Sequence, residues 1–250
     1  VANGNNCETA PIIYTPLEAH IYSISDTAVC KFEDAYLVAK ASPGAKVLWF
    51  SDSTSLTPIA IGDTLRLNEM EETQYFYAQA GIYDTVYKKV GPIAPPNVGT
   101  NASINSTVKV FFDVNAQLNL KSVDVFATVA STALGEIIIT DELTNQVVGT
   151  YPYTITNLGV NNPNTVAINA VLPPGKYSMY RTSTSPNLVR NSAGAIYPYG
   201  SSELVITGNA TSATTTTFIN FYNWQYEIGC VTPRISNKVE VYPTPLVDLG

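Results

Sequence analysis

The chain has 250 residues, 45% of them apolar, enough to bury a core in one large or two ordinary domains. Thirteen Lys and Arg against 20 Asp and Glu leave a net charge of -7 and a pI near 4.7, which argues against a nucleic-acid backbone or an anionic membrane surface as partner. Charged residues make up only 13% while Tyr alone numbers 16, the composition expected of an exported β-protein, and no apolar run reaches the roughly 18 residues a membrane span needs.

Taken in order, residues 1–18 read as the tail of a preceding unit, a linker strand, and Val1 as a position inside a longer protein. Ala35 to Ala41 (AYLVAKA), Val47 to Phe50 (VLWF), Thr64 to Leu67 (TLRL) and Gln74 to Ala80 (QYFYAQA) are short β-branched or aromatic runs. Ser-Pro-Gly, Ser-Asp-Ser and Ile-Gly-Asp turns separate them, which predicts a small β-sandwich over 19–95. Gly91 to Gly99, rich in Pro and Gly, reads as a linker or crossover. Longer strands follow at Thr107 to Val114, Leu118 to Val129, Glu136 to Thr140, Thr165 to Leu172, Lys176 to Arg181, Glu203 to Thr207 and Thr215 to Tyr226. With Pro-Pro-Gly and Asn-Asn-Pro-Asn turns and no long 3.6-residue period, they predict a larger antiparallel, jelly-roll-like sandwich over 100–229. The fold class is all-β.

The last segment, 230–250, echoes the first. Cys7, Thr9 and Ile12 align with Cys230, Thr232 and Ile235, and Thr15-Pro16-Leu17 with Thr244-Pro245-Leu246 after six further residues. This predicts a tandem array in which 230–250 opens the next unit, so that the partners of the chain are neighbouring repeats of itself. Three cysteines leave one unpaired. In an array, Cys7 bridges to Cys30 while Cys230 bridges into the next repeat; the alternative is three buried free thiols. An inter-sheet bridge of the immunoglobulin kind is excluded, because the strand ending at Ala80 holds no Cys.

Catalytic chemistry finds few candidates. His20 is the only histidine, so neither a nucleophile-histidine pair nor a histidine metal site is supported. The carboxylate pairs Asp141-Glu142, Glu71-Glu72 and Glu33-Asp34 read as solvated turns rather than as an acid and base pair. The oxygen-rich turns at Asn161 to Asn164 and Ser51 to Thr54 lack calcium-loop spacing. No cofactor or metal is expected, and no enzymatic activity.

Ala28-Val29-Cys30, Tyr36-Leu37-Val38-Ala39, Val47-Leu48-Trp49-Phe50, Pro58-Ile59-Ala60-Ile61-Gly62 and Thr73-Gln74-Tyr75-Phe76-Tyr77 together resemble the immunoglobulin-like module of large exported surface proteins of the Bacteroidota. Val110-Phe111-Phe112-Asp113, Leu120-Lys121-Ser122-Val123, Leu188-Val189-Arg190-Asn191, Tyr197-Pro198-Tyr199 and Phe221-Tyr222-Asn223-Trp224 resemble the β-sandwich that follows it, and Gly229-Cys230-Val231-Thr232-Pro233-Arg234 its exit. The resemblance implies type IX secretion, an extracellular place on the outer face of the outer membrane, and a role in the long adhesins of gliding motility or surface attachment. It also implies O-glycosylation at Asp-Ser/Thr triplets, hence at Thr27, Ser53, Thr64 and Thr85.

Against the structural repeat stands a carbohydrate-binding module of a secreted polysaccharide-degrading enzyme. Arg190, Tyr197, Tyr199 and Trp224 are the residue types that stack on sugar rings and bond their hydroxyls, and the partner would then be an extracellular polysaccharide or a solid surface. The same residues lie in the resembling motifs, where they would build the core.

Overall fold

The computed structural model describes residues 19–83, 87–96, 101–104, 107–128, 134–210 and 216–243, and every regular element among them is a strand. The small sandwich begins with β1 (Ile21–Ile24), β2 (Thr27–Cys30), β3 (Ala35–Ala41), β4 (Lys46–Phe50), β5 (Ala60–Ile61), β6 (Thr64–Leu67) and β7 (Gln74–Tyr83). Strict alternation makes β3 a half-buried strand: Ala35, Leu37 and Ala39 are fully buried while Tyr36, Val38 and Lys40 face solvent. It lies between β1 and β6 in one sheet. The opposite sheet pairs β4 with β5 and β7. Trp49 is fully buried between the sheets, its indole N–H donating to the Gly62 carbonyl at 2.8 Å.

The larger sandwich comprises β8 (Lys88–Val90), β9 (Asn101–Ile104), β10 (Val110–Val114), β11 (Leu118–Val125), β12 (Leu134–Asp141), β13 (Val147–Thr154), β14 (Asn164–Leu172), β15 (Gly175–Arg181), β16 (Leu188–Asn191), β17 (Tyr199–Gly200), β18 (Leu204–Asn209), β19 (Phe218–Ile219) and β20 (Tyr222–Val231). A six-stranded sheet in the order β13-β12-β15-β10-β18-β17 packs on a layer built from β14, β11, β20 and β8. β13, carrying Pro152, takes the sheet edge, where a missing N–H costs no ladder bond.

Several expectations are corrected. The linker predicted at Gly91 to Gly99 lies within the large sandwich in its described part. Val90 and Ala94 pack on that core, and the Pro92 carbonyl accepts the Asn223 N–H at 2.8 Å. The Pro/Gly signal marks a packed crossover, and the passage between sandwiches comes earlier, between β7 and β8. The run from Thr215 to Tyr226 is two strands, because Asn220 adopts a φ of 62° and a left-handed residue interrupts the ladder, a conformation Asn tolerates. Leu118 to Val129 ends as a strand at Val125.

The largest correction concerns 230–250. β21 (Ile235–Tyr242) does not leave the unit: it pairs antiparallel with β7 and parallel with β2, and Val239 is fully buried in the small core. It is the closing strand of the small sandwich. The large sandwich is therefore an insertion between β7 and β21. Both connections run through one continuous sheet in the order β14-β11-β20-β7-β21-β2. β20 makes this possible: Trp224 to Tyr226 pair with β8, while Gly229 to Val231 pair with Gly81 to Tyr83. Gly229 is required there, since a Cβ would sit 2.3 Å from the Tyr83 ring and 2.6 Å from the Ile82 carbonyl.

The sandwiches also meet face to face. Leu48 and Phe50 point away from the small core, yet both are buried, packed with Val171 and flanked by Tyr77 and Tyr83. This explains why β4 reads as an unbroken apolar run: both of its faces are covered. The Arg234 guanidinium lies 3.6 Å over the Phe50 ring and donates to the carbonyls of Asp52 and Ser55. The Val171 N–H donates to the Leu56 carbonyl at 3.0 Å, and the Thr57 and Tyr151 hydroxyls bond at 2.8 Å.

Candidate functional site

Of the four residues with sugar-binding chemistry, Trp224, Tyr197 and Tyr199 are committed to packing. Trp224 is fully buried on β20, its indole N–H donating to the Phe221 carbonyl at 3.0 Å and its ring edge-on to Phe112 at 5.0 Å. Tyr197 and Tyr199 are brought together on either side of a cis Tyr197–Pro198 bond, their rings T-shaped at 5.3 Å. Both lean on Phe218, one stacked at 5.9 Å and one edge-on at 5.4 Å. The Tyr197 hydroxyl donates to the Thr217 carbonyl and accepts from Asn209, and burial pushes its pKa up to about 12. The Tyr199 hydroxyl accepts the Ile196 N–H. Arg190 is half-buried on β16, in register between β9 and β19. No open aromatic platform results. A half-buried phenol with both ring neighbours occupied offers no face to a sugar ring.

Two of the three carboxylate pairs are separately engaged, while Glu71 and Glu72 are both exposed. Asp141 accepts the backbone N–H groups of Leu143 and Thr144, while Glu142 accepts from Lys109 at 2.7 Å and from Ser178. Asp34 pairs with Arg66 at 2.7 Å and caps the Glu69 N–H; Glu33 accepts the Cys30 N–H. Asp52 closes its own turn through the N–H groups of Thr54 and Ser55, and these bonds hold its pKa below the usual value. The Asn164 carbonyl oxygen is likewise spent on the Thr156 and Asn157 N–H groups. His20 is exposed beside the Tyr22 ring at 5.1 Å. Among the described residues no His, Cys, Asp and Glu side chains gather as a metal site.

Two concavities stand out among the described residues. One, of about 640 Å³, opens where the turn at Asp52 to Leu56 meets Asp141, the Thr144 to Val148 segment, Pro173 and Tyr177. The other, of about 610 Å³, lies at the end of the small sandwich between Lys31 and Leu67 to Glu72. The first belongs to the junction, which sequence reasoning missed: its residues lie on loops and strand ends far apart in the chain, and only the turn dipeptide at Asp52 hinted at a fixed loop.

Of the residues expected to carry glycans, Ser53 and Thr64 are exposed, Thr27 is half-buried on β2, and Thr85 lies outside the described residues. Cys30 is half-buried and Cys230 exposed, with no bond between them; Cys7 lies outside the described residues. One ion pair ties the two layers of the large sandwich. Lys88 of β8 donates to Glu203 at 2.9 Å just ahead of β18, and with Ser201 it holds the Glu203 carboxyl at about 2. Because folding depresses this pKa from 4.5, its stabilisation is complete above pH 4.5 and is lost as pH falls toward 2. Glu203→Gln is therefore expected to flatten the acid limb of the stability curve in that window while leaving its shape at neutral pH unchanged. Urea titrations from pH 6 to pH 2 check it, and an identical acid limb in the variant would refute it.

A scan against protein-family models matches none to this chain, and a search of curated proteins finds no match. The fold defines an all-β protein of two sandwiches, the larger inserted into the smaller.

Proposed function

We propose that the chain is a non-catalytic structural repeat of a long cell-surface adhesin filament, exported by type IX secretion and serving gliding motility or surface attachment. The observation that carries this reading is the course of the chain through the small sandwich. It runs in along β1 and β2 and out along the neighbouring, parallel β21, so the two ends leave at opposite poles. Units joined in this way extend in a line. The echo between residues 7–17 and 230–246 supports reading the first segment as the tail of a preceding unit. The commitment of Trp224, Tyr197 and Tyr199 to packing supports a spacer over a sugar-binding module. Sequencing the whole gene tests it: several copies at the spacing from Cys7 to Cys230 are expected. A single copy beside a catalytic domain would replace the filament with the appendage of a polysaccharide-degrading enzyme.

In protein purified from its own host, glycan mass is expected at Ser53 and Thr64, whose hydroxyls stand clear of the fold, with Thr27 and Thr85 as further acceptors. A hydrated sleeve at these positions would protect a projecting rod from proteolysis. Peptides bearing Ser53 and Thr64 that carry only their bare polypeptide mass in a digest of the host protein would sink this expectation.

A further inference from the structure

We propose that the β2–β21 ladder is a mechanical clamp that carries tension through the small sandwich alone and holds the inserted large sandwich off the line of force. Ser25 and Asp26 alone separate β1 from β2, without a turn, so the chain keeps its direction from residue 19 to Cys30. β21 runs the same way, with Thr27 opposite Val239 and Cys30 opposite Tyr242. Pulling the chain backward before β1 and forward after β21 slides these two strands past one another. In that shear geometry the bonds of the ladder share the load and must fail together, whereas strands pulled apart from one end lose their bonds one at a time.

The ladder is tied at both ends. Asp26 Oδ1 accepts the Lys238 N–H at 2.8 Å where the strands first meet, and the Lys31 N–H donates to the Tyr242 carbonyl at 2.9 Å where they part. A third tie joins the Val241 N–H to the Thr73 hydroxyl at 3.0 Å. β7 holds the other side of β21 from Ile235 to Val239. Load entering at Tyr242 is therefore passed to β2 and β7 before it reaches β20.

The large sandwich has the opposite geometry at its own ends. β8 and the paired part of β20 are antiparallel neighbours, Trp224 opposite Val90 and Tyr226 opposite Lys88. Force applied where the chain enters β8 and leaves β20 would open that ladder bond by bond. Placed directly in a filament, this sandwich would yield early; spliced behind the clamp, it stays folded while the unit bears tension. The clamp is a property of the unit itself, and only its use in the cell rests on the filament reading.

Single-molecule pulling in two geometries tests the clamp without reference to gene organisation. Cys7→Ser and Cys30→Ser free the chain of competing thiols in both. With handles at the termini, one high-force event releasing about 75 nm of chain is expected, at roughly 0.34 nm per residue. With handles on Cys230 and a Tyr87→Cys site, the large sandwich is expected to open at lower force, releasing about 50 nm by the same measure. Asp26→Ala and Lys31→Pro should shift the terminal event to lower force and leave the internal one in place. Ile139→Ala, in the large core far from the ladder, should do the reverse. Opening of the internal geometry at equal or higher force would overturn the proposal. So would a terminal trace that begins with the 50 nm step, or an Ile139→Ala variant that weakens the terminal event.

Discussion

Trp224→Ala is expected to cost about 3 to 5 kcal/mol of stability, the range for deleting a large aromatic side chain from a packed core. The indole is fully buried, bonded to the Phe221 carbonyl and edge-on to Phe112. Gly91, held at a φ of +79°, lies against it: a Cβ there would come within 3.9 Å of the indole and 3.0 Å of Ile206, so the backbone cannot easily collapse into the space. Thermal unfolding beside a glycan-array screen separates the packing role from the sugar-binding one. A melting temperature close to wild type with loss of a saccharide signal on the array would make Trp224 a ligand residue and end the spacer reading.

Phe50→Ala should be as costly in stability, about 3 to 5 kcal/mol, and different in kind. Phe50 is fully buried but faces the junction, with Leu48 and Val171 beside it and the Arg234 guanidinium over its ring. Burial at this place lowers the Arg234 pKa from its ordinary value while Asp52 opposes the shift. Removing the ring takes away the surface on which that cation rests, a contact worth about 0.5 to 2 kcal/mol beyond the area lost. The expected calorimetric result is that one cooperative transition separates into two, one for each sandwich. Trp49→Ala, a cavity of similar size inside the small core, should instead lower the transition without splitting it. A single sharp transition in Phe50→Ala would show that the continuous sheet suffices to couple the two bodies.

The strands with a clear local pattern were legible. β3 announced itself by alternation, and β14 and β15, which lie in opposite sheets, by apolar runs on either side of a Pro-Pro-Gly turn. β13 escaped notice because Pro152 and Gly149 dilute its pattern, and only its edge position makes them harmless. β21 was misplaced for another reason. Ile235 to Tyr242 alternates well enough for a strand, but its partners β2 and β7 lie more than 150 residues earlier, and local pattern carries no information about so distant a register. The candidate site was legible as chemistry and not as place. The aromatic and acidic residue types were plain, while their orientation toward Phe218, Phe112 or a backbone turn is set by packing among strands that meet only in the folded chain.

The splice between β7 and β21 also dictates an order of folding. The small sandwich cannot close until Ile235 to Tyr242 have been made, and bringing them back to β7 across so long an unfolded loop carries an entropy that grows with loop length. Folding of the inserted sandwich removes most of that cost, because it sets β8 and β20 side by side and delivers the two ends of the interruption to one place. Distant pairings of this sort slow folding, so the small sandwich is the last part of the unit to form. In pulse-labelled hydrogen exchange during refolding, amides of β12 and β15 should gain protection before those of β2 and β21; the reverse order would contradict it. A unit emerging end first from a ribosome or a secretion channel would thus keep its load-bearing body open until its final strand arrives.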